Sequence, residues 1–122
     1  MTPSSSQERL KAIIEQIGSI DRYLEIGVAK GSTFFEVPAT EKHAVDPRFR
    51  FDPITRYEYK NEQYFLTTSD EYFSKSIGRE KPFDLIFLDG LHTYSQTLRD
   101  FLASQALAHR NTIWLIDDTV PT

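Results

Sequence analysis

In SSSQERLKAIIEQIG, Leu10, Ile13, Ile14 and Ile17 recur at i, i+3, i+4 and i+7 with polar residues between them. That spacing predicts an amphipathic helix over residues 5–18, with Ser5 and Glu8 at capping-box separation and Gly18 as its terminator. The pattern then changes. RYLEIGV is a short apolar run closed by glycine, and KHAVDP repeats the form with an Asp-Pro stop, so both predict strands. The segment after Asp46 mixes aromatics, charges and two prolines and predicts an irregular connection, followed by a third strand at EQYFLTT and a short helix at DEYFSKSIG. In DLIFLDG four apolar residues follow one another without alternation, as expected of a parallel strand covered on both faces. HTYSQTLRDFLASQALAHRN predicts a helix with Thr93 and Gln96 at capping-box spacing, an inner face of Leu98, Phe101, Leu102 and Gln105/Ala106, and Asn111 as its left-handed C-terminal residue. TIWLIDDT predicts a fifth strand. Strands and helices in alternation, with continuously apolar strands, imply an α/β fold built on an open parallel sheet.

Composition narrows this picture. The 122 residues are enough for one domain with one core. A net charge of -4, with the 14 Lys and Arg residues scattered along the chain, gives no attraction to nucleic acid or anionic membranes. The absence of cysteine excludes disulfides, thiol catalysis and thiolate metal sites. No apolar run approaches membrane-spanning length, and the charged N-terminus lacks a signal-peptide pattern, so a cytoplasmic location is expected.

Ligands of open α/β sheets bind outside the carboxyl ends of the strands. Four of the five expected strand ends carry acids here: Glu25, Asp46, Asp89, and Asp117 with Asp118. After the first strand, Gly27, Ala29 and Gly31 fit a GxGxG spacing better than the GxGxxG of dinucleotide sites. Glu25 would repel a pyrophosphate but accept an amino group or a cationic centre. Asp46, at the end of the next strand, is placed to accept ribose hydroxyls. The plain alternatives are that Asp46-Pro47 stops a strand and that the glycine turn is only a corner.

YLEIGVAKGS, AVDP, DLIFLDGLHTYSQTLRDF and IWLIDDT together resemble the successive motifs of class I S-adenosylmethionine-dependent methyltransferases, in particular the small-molecule O-methyltransferase-like branch. The resemblance runs over about residues 10–120, and LDGLHTY is its most specific string. It implies a Rossmann-like three-layer sheet of order 3-2-1-4-5. It also implies S-adenosylmethionine as cofactor: Glu25 and the Gly27, Ala29 and Gly31 backbone against the methionine part, Asp46 on the ribose, Ser69 and Asp70 beside the adenine, and Asp89 near the sulfonium. His92 would be a general base toward a small-molecule methyl acceptor. Asp89, Asp117 and Asp118 match the positions that bind a divalent ion in metal-using relatives, which offers Mg²⁺ a place.

The chain departs from that family in Ala29 and in ending after the fifth strand, where two further strands would complete the sheet. The fifth strand is then expected to be an apolar edge, covered by a second copy of the chain or by further chain. Two other readings follow from the same residues: a methyltransferase-like domain that binds without turnover, and a metal-dependent hydrolase using Asp89, His92, Asp117 and Asp118.

Overall fold

A computed structural model describes residues 6–89 and 93–117. The five strands are β1 (Ile20–Ile26), β2 (Ala39–Asp46), β3 (Glu62–Leu66), β4 (Phe83–Leu88) and β5 (Ala108–Ile116), and the three helices are α1 (Ser6–Ile17), α2 (Ser69–Ser76) and α3 (Tyr94–Ser104). The strands form one sheet in the order β3-β2-β1-β4-β5, and every pairing is parallel. All five carboxyl ends therefore share one edge, as the sequence predicts.

The sheet is buried on both faces because its strands alternate two apolar sets. Tyr23, Ala44, Leu85, Phe87 and Leu115 face α1 and its Leu10. Leu24, Ile26, Val45, Ile86 and Leu88 face Tyr72 and Phe73 of α2, with Phe101 of α3 packed against them. Helix α1 ends where Gly18 adopts φ +88° and its N–H donates to the Ile14 carbonyl at 2.9 Å.

Three expectations are corrected. Alternation would place a helix between β1 and β2, but this crossover, residues 27–38, holds only a 3₁₀ turn at Phe34–Glu36. Its length is near the minimum of about a dozen residues for a parallel connection. It is held down by buried Lys42, whose Nζ donates to the Phe34 carbonyl at 2.8 Å and the Phe35 carbonyl at 3.4 Å.

Helix α3 ends at Ser104, well before Asn111, and β5 begins at Ala108. The sheet captures the expected helical tail: His109 Nε2 donates to Asp84 Oδ1 at 2.7 Å, and Thr112 Oγ1 donates to the Phe83 carbonyl at 2.6 Å. Asn111 N–H donates to His109 Nδ1 at 3.0 Å, which leaves the imidazole proton on Nε2. The extra residues form a bulge, because Phe83 pairs with Ala108 while Leu85 pairs with Ile113.

The inner face of α3 is rotated from the one expected. Thr97, Asp100 and Ser104 are buried, whereas Leu98 and Leu102 are 42% and 55% exposed. Polar partners hold two of the three: Asp100 accepts from Ser69, and Ser104 Oγ accepts from Trp114 Nε1 at 2.9 Å.

Candidate cofactor site

The strand ends are stitched together by main-chain bonds that continue the ladders past the last strand residues. Gly27 N–H donates to the Val45 carbonyl, Asp89 N–H to the Ile26 carbonyl and Asp117 N–H to the Leu88 carbonyl. Gly27, Asp89 and Asp117 thus lie at one level on the carboxyl edge, with Asp46 ending β2 beside them.

The turn after β1 is built on alternate left-handed residues: Gly27, Ala29 and Gly31 have φ of 86°, 52° and 84°. Glycine adopts this region freely, whereas an L-residue pays roughly 1–2 kcal/mol for it. The GxGxG spacing is thus a torsional pattern, met at its middle place by a strained alanine. Gly31 is needed for a second reason, because a Cβ there would overlap the Phe35 ring. That ring packs on Phe51 and under the guanidinium of Arg56, 3.8 Å from its centroid.

Asp46 supplies what holds the strained turn. Its Oδ2 accepts from the N–H groups of Val28 and Ala29, both at 2.9 Å, and Oδ1 accepts from Arg48 N–H at 2.8 Å. A carboxylate oxygen accepts about two hydrogen bonds in plane, so Oδ2 is filled and Oδ1 retains one place. The expectation that Asp46 takes both ribose hydroxyls is accordingly reduced to one direct bond at Oδ1 while the turn stays intact.

Glu25 is fully buried on the α1 face of the sheet. Tyr23, two residues earlier on the same face, donates its hydroxyl to Oε1 at 2.5 Å, while Oε2 has no hydrogen-bond partner. Burial pushes the Glu25 carboxyl up to about 8; the Tyr23 bond works against this, and the Asp89 carboxylate adds to it. Burial therefore favours the protonated carboxyl while the site is empty, and Oε2 is an unused polar atom near the end of β1, two residues before the glycine turn.

Ser69 and Asp70 meet α3. Ser69 Oγ donates to Asp100 Oδ1 at 2.6 Å, and Gln96 Nε2 reaches Ser69, Asp70 and Asp100 at 3.2, 3.2 and 2.9 Å. Arg99 pairs with Asp70 at 2.5 Å. Gln96 was visible in the sequence only as a capping residue. Its N–H does bond to Thr93 Oγ1, but its side chain turns away to this cluster.

A cleft of about 230 Å³ opens here, lined by Ile26, Gly27, Val45, Pro47, Thr68, Ser69, Asp70 and Gln96. A larger cavity of about 480 Å³ lies between α1 and the β1–β2 crossover, lined by neither the glycine turn nor a strand end. The smaller cleft is the one that joins the glycine turn to the ends of β2 and β3.

The metal expectation gains no support. Asp117 forms an ion pair with Arg9 at 2.8 Å, and Asp118 lies outside the described residues, as does His92.

A parallel 3-2-1-4-5 sheet with a left-handed glycine turn after β1 and a cleft over its carboxyl edge is the Rossmann-like arrangement of nucleoside-binding α/β proteins. Residues 24–119 match the family model described as "Methyltransferase domain", and the chain belongs to that family. S-adenosylmethionine is its usual cofactor. Among solved structures, the N-methyltransferase NodS from Bradyrhizobium japonicum WM9 is similar, with a TM-score of 0.70, 14% identity, and coverage of 90% of this chain and 64% of NodS. At that identity the likeness shows the fold, and this chain spans less than two thirds of NodS. No curated protein matches. Among the described residues no helix is long and apolar enough to cross a membrane.

Proposed function

We propose that this chain is a single S-adenosylmethionine-dependent methyltransferase domain that methylates a small molecule at oxygen. The observation that carries the cofactor reading is Glu25 Oε2, a buried acidic oxygen with no partner, two residues before the glycine turn. A buried polar atom without a partner is costly, and the ammonium group of a methionine moiety would draw off the proton that burial keeps on Glu25 and donate to the carboxylate so formed. The residues fit such a cofactor in three further respects. The strained turn leaves backbone for close approach, Asp46 Oδ1 keeps one acceptor place for a ribose hydroxyl, and the cleft by Thr68, Ser69, Asp70 and Gln96 has room and polar edges for a base.

The bound cofactor would supply an already activated methyl group, so the protein's task is to place an acceptor in line with it and exclude water. Asp89 follows the central strand β4 and sits beside Glu25 closely enough to raise its pKa, so it orients groups at the centre of the edge. His92 takes the acceptor's proton. The choice of oxygen rests on the LDGLHTY string. The chain works in the cytoplasm, without nucleic acid or membrane, and the apolar edge of β5, with Ile113 and Ile116 at 38% and 40% exposure, is covered in a homodimer.

Calorimetric titration with S-adenosylmethionine, S-adenosylhomocysteine and NAD, with and without Mg²⁺, tests the cofactor reading. Both sulfur compounds are expected to bind without a metal requirement. Tight NAD binding, or no binding of either sulfur compound by a folded sample, would overturn it. Asp46→Ala should weaken binding by at least about tenfold, since one charge-assisted bond is worth roughly 1.5–3 kcal/mol; unchanged affinity would return Asp46 to the turn alone. Labelled methyl transfer to paired hydroxyl and amine acceptors tests the oxygen assignment, and sedimentation tests the dimer.

A further inference from the structure

A second charged cluster lies toward the amino ends of the strands. It joins Arg22 of β1, Glu41 and His43 of β2, and Glu80 in the loop before β4. His43 precedes Asp46 by three residues, roughly 10 Å along the strand. It faces α2, whereas Glu25 faces α1.

The imidazole of His43 is 1% exposed. Its Nδ1 lies 2.9 Å from the Tyr72 hydroxyl, and its Nε2 has no hydrogen-bond partner. Nε2 points between two carboxylates, 3.6 Å from Glu41 Oε2 and 4.0 Å from Glu80 Oε1. Those contacts are too long for hydrogen bonds, so Nε2 is unsatisfied in either tautomer. Burial holds the ring down at about 4, so it is neutral at physiological pH and can present a lone pair. With Nδ1–H donating to Tyr72, that lone pair faces the carboxylates, an arrangement that calls for a cation beside them, the place Arg22 now takes without giving Nε2 a partner.

We propose that Glu41, His43 and Glu80 form a binding site for a transition-metal dication of the Zn²⁺ type, ligated by His43 Nε2 and one oxygen from each glutamate. Zn–N and Zn–O bonds of about 2.0–2.2 Å in a tetrahedron place ligand atoms roughly 3.3–3.6 Å apart. The three ligand atoms here lie within 4.8 Å of one another, so contraction by less than a bond length closes the site. The side chains of Glu41 and Glu80 are 34% and 31% exposed, which gives an ion a path from solvent and an open fourth position for water. Tyr72 is the outer partner that fixes the imidazole tautomer.

Arg22 now occupies the same oxygens, pairing with Glu41 and, at 2.8 Å, with Glu80. Its Nε is itself buried without a partner. The ion therefore displaces a guanidinium that is incompletely satisfied, and the two cations compete.

Co²⁺ and Zn²⁺ titrations of the untagged full chain, pretreated with chelator, test the site. One Co²⁺ per chain is expected, with the visible d–d bands of a four-coordinate ion, and Zn²⁺ should raise the melting temperature. His43→Gln should abolish the bands, and Tyr72→Phe should weaken binding roughly 10–100-fold. Should His43→Gln fail to fold, Glu80→Gln, altered at a partly exposed side chain, must show the loss instead. His109→Gln must keep full binding, because His109 is committed to Asp84. Absence of both the bands and the thermal shift in the wild-type chain, binding undiminished by His43→Gln or by Glu80→Gln, or loss of binding in His109→Gln would overturn the proposal.

Discussion

At the carboxyl ends of the strands Asp46 is held by main-chain amides of Val28, Ala29 and Arg48. Toward the amino ends Glu41 and Glu80 are held by the guanidinium of one side chain, Arg22. An amide donor cannot leave its acceptor without moving the loop, so the first arrangement fixes geometry. A side-chain cation can be exchanged for another cation, so the second fixes charge and leaves the occupant open. The same residue types thus make a rigid cradle at one end and an exchangeable counter-ion at the other.

The largest effect is expected from Gly31→Ala, which combines a left-handed φ with overlap of the Phe35 ring. Strain and overpacking together should destabilise the fold by about 2–4 kcal/mol in chemical denaturation. A loss under ~1 kcal/mol would show that the cradle is softer than its bonding implies. Arg22→Gln, measured with chelator present, should cost about 2–3 kcal/mol. It leaves two part-buried carboxylates without their cation, and their partial exposure lowers the figure below that of a fully buried pair. An unchanged midpoint would mean that the amino-end pairs contribute nothing.

Glu25→Gln should act in the opposite direction. Its carboxyl is raised from 4.5 to about 8 in the folded chain, so the folded state binds more protons than the unfolded state between those values. The Glu25 contribution therefore falls as pH rises from about 4.5 through 8, but His43, held down from 6.5 to about 4, opposes it below about 6.5, so the net fall is read between about 6.5 and 8. The variant should remove that slope and gain about 3 kcal/mol near pH 7, seen in melts across pH 5–8.5, while binding S-adenosylmethionine more weakly. A wild-type melting temperature that is flat between pH 6.5 and 8 would contradict the raised carboxyl. The smallest effect is Ala29→Gly, which relieves one left-handed alanine. It should stabilise by up to about 1 kcal/mol, because relief of strain is partly offset by a more flexible unfolded chain.

Most of the sheet was legible in the sequence because its strands are continuous apolar runs and their ends carry turn residues and acids. The glycine turn was legible as spacing, though its basis in three left-handed torsions was not, since alanine gives no local sign of positive φ. Polar burial hid the rest. Asp100 and Ser104 of α3 point inward because Ser69 and Trp114 meet them there, and an apolar-periodicity reading assigns that face to Leu98 and Leu102. The start of β5 was hidden for a related reason: His109 and Thr112 bond to β4, residues remote in sequence. The stretch after Asp46 was unreadable because its order comes from a network formed across the fold. Arg56 bonds Glu62 through two nitrogens, at 3.1 and 2.8 Å, and stacks on Phe35 and Tyr59. His43 passed as an ordinary strand residue, since its unsatisfied nitrogen exists only once Glu80 arrives.

The bulge in β5 divides the outer margin of the sheet into two halves of different character. Around His109–Asn111 the main chain is kinked and tied to its own side chains, which spoils it as a template for another strand. From Ile113 to Ile116 the register with β4 is regular, and about four residues, roughly 13 Å of chain, remain flat enough to extend the sheet. Any strand added on this side is thereby steered toward the carboxyl half of the sheet, where it would lengthen the edge that carries the strand-end acids and lie far from the Arg22 cluster.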